Sequence, residues 1–213
     1  MDDETTEMER MYATSFYDVM MDHHYRYHYA LRFISRHSFV LDAACGSGYG
    51  TNYLAKHSEC ALAVGTDRSE HALEWALRYF HHEKAVYLNS DLSGDFQADL
   101  PIKRYDLIVC FETVEHMRDD RSFVKKLYRC LNDEGILLIS APNENVIPYL
   151  KNPYYAGGVN PYHYRHYRPK ELRDLLKKCG FQILQTVTQD NETYEVVPGR
   201  EDGFTTIVVA GKK

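Results

Sequence analysis

The chain has 213 residues, a length that suits one α/β domain carrying a small cap or insertion. With 44% apolar and 26% charged residues, it has the make-up of a globular protein and not of a disordered or fibrous one. Its formal charge is −6 and no lysine- or arginine-rich run offsets it, which argues against a large nucleic-acid footprint though not a small local one. Five cysteines (45, 60, 110, 130 and 179) lack any C-x-x-C spacing, so they read as buried thiols and not as a disulfide frame or zinc site. No signal peptide or transmembrane run is visible, and the acidic start Met-Asp-Asp-Glu has the wrong charge for export. A cytoplasmic protein is expected.

Residues 1–10 are acidic and without periodicity, the pattern of a loose tail. From about Ser15 to Arg36 the pattern is helical, with Tyr27, Ala30, Leu31 and Ile34 on one face. Histidines and tyrosines crowd this segment around a single arginine, Arg26. Two uses stay open for it: a capping helix that covers the sheet edge, or a lid whose Arg26 faces a ligand carboxylate.

The run Phe39 to Thr51 organises the rest. Val40-Leu41-Asp42 is an apolar strand ending in an acid; glycines follow at 46, 48 and 50, and a helical pattern starts at Tyr49. A strand opening through glycines into a helix leaves backbone N–H groups uncovered for a ligand, the plan of a mononucleotide-binding unit. The spacing is not the dinucleotide fingerprint G-x-G-x-x-G, which disfavours a nicotinamide oxidoreductase. Cys60 to Asp67 is a second apolar run ending in an acid. Asp67 stands 19 residues after Gly48, close to where such folds place a ribose-binding carboxylate. A strand-end turn would equally use it. Leu73, Ala76, Leu77 and Phe80 then form a core stripe.

Ala85 to Asn89 is a third short strand, followed by Ser90-Asp91-Leu92, where an acid and the next N–H can meet an adenine, or simply turn the chain. Tyr105 to Phe111 is a continuous apolar fourth strand, as a doubly covered strand should be. Its C-terminal end presents Phe111-Glu112-Thr-Val-Glu115-His116. A helix with Phe123, Val124, Leu127 and Leu131 inward follows; Asn132 to Gly135 ends it, and Ile136 to Ser140 is the fifth strand. Between Ala141 and Pro169 the alternation stops, and five of the seven prolines fall here. So long an irregular insertion is rarely idle, and 141–169 is the expected substrate cover. A helix from Pro169 to Gly180 and two strands, Phe181 to Thr188 and Phe204 to Ala210, complete one domain over 1–213, with 1–36 as tail and cap.

Hydrophobe-hydrophobe-Asp-x-x-Cys-Gly-x-Gly resembles the first motif of class I S-adenosylmethionine methyltransferases, and Gly65-Thr-Asp67, the Asp91 loop and Tyr105-Asp-Leu-Ile-Val extend the resemblance over about residues 22–211. It implies a Rossmann-like, seven-stranded, mostly parallel sheet with the last strand antiparallel and an N-terminal helical cap. The helix around Arg26, the Cys-Gly-x-Gly-Tyr-Gly turn and Asn160-Pro-Tyr-His163 look like bacterial methyltransferases that accompany sugar and surface-polysaccharide enzymes. The implied cofactor is S-adenosylmethionine, held by Arg26, Asp42, Ala44, Gly46, Gly48, Asp67, Arg68, Asp91, Leu92, Phe111 and Glu112. The implied partner is a small-molecule acceptor such as a nucleotide sugar or glycan, with no membrane and no nucleic acid.

An alcohol acceptor calls for a general base, and histidine suits that task. His163 is the first candidate and His116 the second, though His116 can instead pair with Glu112 and His163 can be a packing residue of its loop. Tyr162, Arg165, His166 and Tyr167 would line the acceptor pocket; tyrosine-rich segments there and at 22–29 would equally suit a homodimer interface. No metal is assigned. Glu112-x-x-Glu115-His116 is nonetheless similar to the metal-binding set of small-RNA terminal 2′-O-methyltransferases, so a metal-dependent RNA enzyme is one alternative. A non-catalytic cofactor-binding protein is another.

Overall fold

The computed structural model describes residues 10–212, and the tail expected at the N-terminus lies, for residues 1–9, outside them. The chain divides into two compact units, one running to Val109 and one starting at Cys110.

In the first unit, helix α1 spans Met21–Ala30 and strand β1 Phe39–Ala43. Helix α2 (Tyr49–His57), strand β2 (Leu62–Asp67), helix α3 (Glu70–Tyr79), strand β3 (Ala85–Asn89) and strand β4 (Tyr105–Cys110) follow in turn. The strands lie in the order β3-β2-β1-β4, every pair parallel. Val40, Leu41, Ala63, Val64, Leu107 and Ile108 are fully buried, which explains why these strands read as apolar runs and not as alternating ones. Register is fixed at the strand start, where the Phe39 N–H donates to Asp106 at 2.8 Å.

The cap is shorter than its sequence suggests. α1 tightens into a 3-10 turn over Leu31–Phe33 and stops there. Ser35 N–H then turns onto the Ser38 hydroxyl, and His37, with φ +64°, sends its N–H to the Glu59 carbonyl. These bonds replace helical ones and deliver the chain into β1.

In the second unit, helix α4 (Asp120–Cys130), strand β5 (Leu131–Pro142), helix α5 (Pro169–Lys178), and strands β6 (Phe181–Gln189), β7 (Val196–Pro198) and β8 (Thr205–Lys212) are ordered β5-β8-β6-β7. The final strand β8 is antiparallel to both of its neighbours, as expected. Two details differ from the sequence expectation. Asn132 to Gly135 are already extended, although the ladder with β8 begins only at Ile136. The polar loop before β8 contributes β7, which zips onto β6 through Val196–Pro198 and makes eight strands where seven are expected.

The insertion after β5 is irregular but stitched down. Asn143, fully buried, receives the Asn145 N–H and donates to the carbonyls of Glu201 and Gly203. The Tyr164 N–H reaches the Glu115 carbonyl at 2.8 Å. Among the described residues, no helix is long and apolar enough to cross a membrane.

Candidate active site

In the first unit the sequence-predicted cofactor residues gather at the carboxyl ends of β1 and β2. Ala44, Gly46 and Gly48 alternate with left-handed φ angles of 66°, 55° and 84°. Such a chain winds tightly, and its N–H groups are not left uncovered as the sequence suggests: Cys45 donates to the Thr66 carbonyl at 2.8 Å, Gly46 to Asp67 at 3.0 Å and Gly48 to the Cys45 carbonyl at 3.1 Å. A Cβ on Gly46 would meet nothing within 4 Å, so the turn has an open face there. Gly50 does the opposite: its Cα lies against the ring of Tyr27, and any side chain would overlap it.

Beneath the turn, Asp42 is 1% exposed and accepts hydrogen bonds from the Tyr27 hydroxyl at 3.1 Å and the Thr51 hydroxyl at 2.7 Å. Burial pushes its carboxyl up to about 7, against the pull of the Thr51 and Tyr27 hydrogen bonds, and the Asp67 charge adds to the rise. Asp42 therefore braces the turn from below. Asp67 ends β2 and accepts three bonds: from the Gly46 N–H at 3.0 Å, the Ser69 N–H at 3.0 Å and the Arg10 guanidinium at 2.8 Å.

Other candidates are placed less centrally. Arg26 is 2% exposed and bonds at 3.0 Å to Asp22, one turn before it on α1. Asp91 is exposed and closes a turn on Ser93 through both carboxylate oxygens, while Leu92 is buried. Arg68 is exposed.

In the second unit, Glu112 adopts φ +47°, a conformation that costs a non-glycine residue about 1–3 kcal/mol and marks functional sites. Ser140 holds it there, accepting its N–H at 3.0 Å and donating to its carboxylate at 2.6 Å. Glu112 thus pairs with Ser140, and His116 bonds the Tyr162 carbonyl at 3.0 Å. Phe111 is half-buried just before them.

Glu115, His116 and His163 each bring a ligand-type atom within 4.8 Å of the others. Carbonyl anchors fix how the imidazoles present themselves. His166 Nδ1 lies 2.6 Å from the Ile147 carbonyl, which only accepts, so that nitrogen carries the proton. In neutral His166, Nε2 is then the acceptor and takes the His163 Nδ1–H at 2.8 Å. His163 is left with its lone pair on Nε2. His116, donating from Nδ1 to the Tyr162 carbonyl, presents its lone pair on Nε2 as well. Burial, helped by the imidazoles of His116 and His166, pushes His163 down to about 3, so it is neutral at pH 7. Of the expected pocket lining, Arg165 and Tyr167 both engage Asp120, at 3.0 and 2.8 Å, and Tyr162 contributes its carbonyl.

Comparison with known proteins decides the family. Residues 21–186 match the family described as methyltransferase domain. The chain belongs to that family. A curated relative from Mycolicibacterium smegmatis, named a probable S-adenosylmethionine-dependent methyltransferase, is 30% identical over 150 residues, which is 70% of this chain and 53% of that protein. The ubiquinone biosynthesis O-methyltransferase of Coxiella burnetii is 28% identical over 152 residues, 68% of this chain and 64% of its own. The chain thus spans about half the length of the first of these relatives and under two thirds of the second. Among solved structures, the N-methyltransferase NodS from Bradyrhizobium japonicum, in complex with S-adenosyl-L-homocysteine, has a TM-score of 0.67 at 16% identity, covering 92% of this chain and 89% of its own. That likeness is one of fold, the Rossmann-like α/β fold of S-adenosylmethionine-dependent methyltransferases.

S-adenosylmethionine is the cofactor named for the Mycolicibacterium smegmatis relative, and the residues present suit it: the open face at Gly46 admits a ligand against backbone, and Asp67 offers carboxylate oxygens one strand away. Sequence reasoning missed two parts of this site. Thr51 and Tyr27 looked like ordinary helix positions, and only their convergence on Asp42 shows their role. Arg10 carries no sequence signal at all, and instead of belonging to a loose tail it is fixed on Asp67.

Asp42 gives the methyltransferase domain a testable pH signature. A carboxyl at about 7 when folded and 3.8 when exposed binds protons more tightly in the folded state. Its contribution to stability therefore falls as pH rises between about 4 and 7. In urea titrations, wild type should lose midpoint over that window more steeply than Asp42→Asn; parallel curves would show that Asp42 is not held protonated.

Proposed function

We propose that the domain transfers a methyl group from S-adenosylmethionine to a hydroxyl of a small-molecule acceptor, a sugar or similar metabolite. The observation that carries this is the chain His163–His166–Ile147, which aims an unprotonated imidazole nitrogen away from a carbonyl-anchored relay. The O-methyltransferase named among the relatives supports oxygen as the atom methylated.

The cofactor supplies an activated methyl on a sulfonium, a leaving group that needs no proton. What remains for the protein is to hold the reactants in line and take the hydroxyl proton. With the Gly46 N–H spent on Asp67 and the Gly48 N–H on the Cys45 carbonyl, the turn would offer the cofactor the bare backbone face at Gly46, Asp67 would receive the ribose hydroxyls, and Asp91 with Leu92 would border the adenine. His163 Nε2 accepts the proton. The His163 Nδ1–H already rests on His166 Nε2 at 2.8 Å, a path along which the Nδ1 proton can leave as Nε2 gains one. The Ile147 carbonyl accepts the His166 Nδ1–H at the far end of the chain.

Calorimetric titration with S-adenosylhomocysteine tests the cofactor half. Asp67→Ala should weaken binding by about 1–3 kcal/mol, the scale of a lost charged hydrogen-bond pair. Unchanged affinity would remove the ribose assignment. Turnover on nucleotide sugars and glycans, followed by mass spectrometry, tests the acceptor half.

A second interpretation rests on one observation: His116, oriented by the Tyr162 carbonyl, His163, oriented by His166, and the buried Glu115 lie close enough to share a divalent cation. An imidazole whose far nitrogen donates to a carbonyl, as that of His116 does, is oriented as metal ligands usually are. In that case His163 is a ligand and the cation activates the hydroxyl. Turnover abolished by a chelator and restored by Mn²⁺ would select this interpretation, and turnover indifferent to both would select the imidazole base.

A further inference from the structure

The segment Arg10–Val19 precedes the cap and belongs to none of the motifs, yet it is built into the cofactor half of the fold. Ala13, Phe16 and Val19 are buried at 7%, 8% and 4% exposure. The segment is tied at both sides of the glycine turn. The Ser47 hydroxyl, inside the turn, donates to the Met11 carbonyl at 2.5 Å. On α3, Trp75 Nε1 donates to the Ala13 carbonyl at 2.7 Å, and Tyr12 meets the ring of Trp75 edge-on at 5.3 Å and His71 Nδ1 at 3.1 Å. Further along, Phe16 stacks on Tyr53 of α2 with ring centres 3.9 Å apart. Between these ties, Arg10 reaches Asp67.

We infer that this strap is a wall of the ribose subsite and that Arg10 is a positioning residue, setting the Asp67 carboxylate for the ribose hydroxyls. The inference rests on the assignment of Asp67 to the ribose. A carboxylate has about four acceptor positions. The Arg10 guanidinium and the Ser69 N–H share Oδ1, and the Gly46 N–H takes one position on Oδ2. Three fixed donors leave the side chain a single orientation, with an acceptor position of Oδ2 still unused. Without Arg10, Oδ1 keeps only a neighbouring amide two residues away, and the carboxylate is free to rotate. The strap adds nothing to the chemistry of the methyl group; its effect is on how well the nucleoside is held.

Calorimetry with two probes tests this on the full chain: S-adenosylhomocysteine, and its analogue lacking both ribose hydroxyls. Arg10→Ala should bind S-adenosylhomocysteine about tenfold more weakly than wild type, Arg10→Lys should recover part of the loss, and the dideoxy analogue should bind all three alike. Asp67→Asn should abolish the effect of Arg10→Ala, because the two residues act as one unit. Wild-type or tighter binding of S-adenosylhomocysteine by Arg10→Ala overturns the inference. So does an equal loss for both probes, which would make the strap mere packing. If Asp67→Asn leaves S-adenosylhomocysteine binding untouched, the ribose assignment itself falls and takes the inference with it.

Discussion

Alanine at His163 is expected to lower kcat by about 10²–10³, the usual worth of a positioned general base. S-adenosylmethionine affinity should change by less than about threefold, since His163 belongs to the second unit's imidazole chain and not to the glycine turn. The expectation follows from proton bookkeeping. With Ile147 fixing the His166 tautomer, and His166 fixing that of His163, Nε2 of His163 is the lone pair the chain delivers. His166→Asn should be milder, because His163 keeps its lone pair but loses the group that receives its Nδ1 proton. Pre-steady-state turnover beside calorimetric affinity separates the two quantities. An equal fall in both would make His163 a structural residue of its loop, not the base.

A large stability effect is expected at Gly50. Alanine there would place its methyl inside the Tyr27 ring, and that ring cannot step aside cheaply. Tyr27 is 4% exposed and its hydroxyl bonds both oxygens of Asp42. Overpacking of this kind costs about 1–3 kcal/mol or more, while the better helix propensity of alanine returns at most about 1 kcal/mol. Gly50→Ala should therefore lose roughly 2 kcal/mol in urea unfolding. It should also weaken S-adenosylhomocysteine binding, because moving Tyr27 disturbs the Asp42 brace under the turn. A variant as stable as wild type would show that the close approach of α2 to Tyr27 is not needed.

Sugar and surface-polysaccharide chemistry, the expectation raised by the helix around Arg26 and by Asn160 to His163, stays a proposal about the acceptor. Family membership and the curated relatives speak to the methyltransferase class. The acceptor belongs to whatever surface the insertion presents, and Arg165 and Tyr167, which looked like pocket lining, are committed to Asp120. Stacking and polar recognition would then fall to Tyr162, His163 and their neighbours.

Local pattern by itself determined the order of strands and helices, the glycine turn at 46–50 and the acids ending β1 and β2. These follow from apolar runs, 3.6-residue periodicity and glycine spacing, all properties of neighbouring residues. It also determined that the last strand would be antiparallel, through the family pattern it carries. Tertiary structure alone decided what each acid and imidazole does. Arg10 meets Asp67 across 57 positions, and His116 meets the Tyr162 carbonyl across 46. Such pairs depend on the path of irregular chain, which no periodicity encodes. The same holds for β7, whose three residues pair only because β6 offers an edge, and for Asp42, whose carboxyl is pushed up because folding takes it out of water, against the pull of two hydroxyls. Desolvation acts on a group only once the rest of the chain has closed around it.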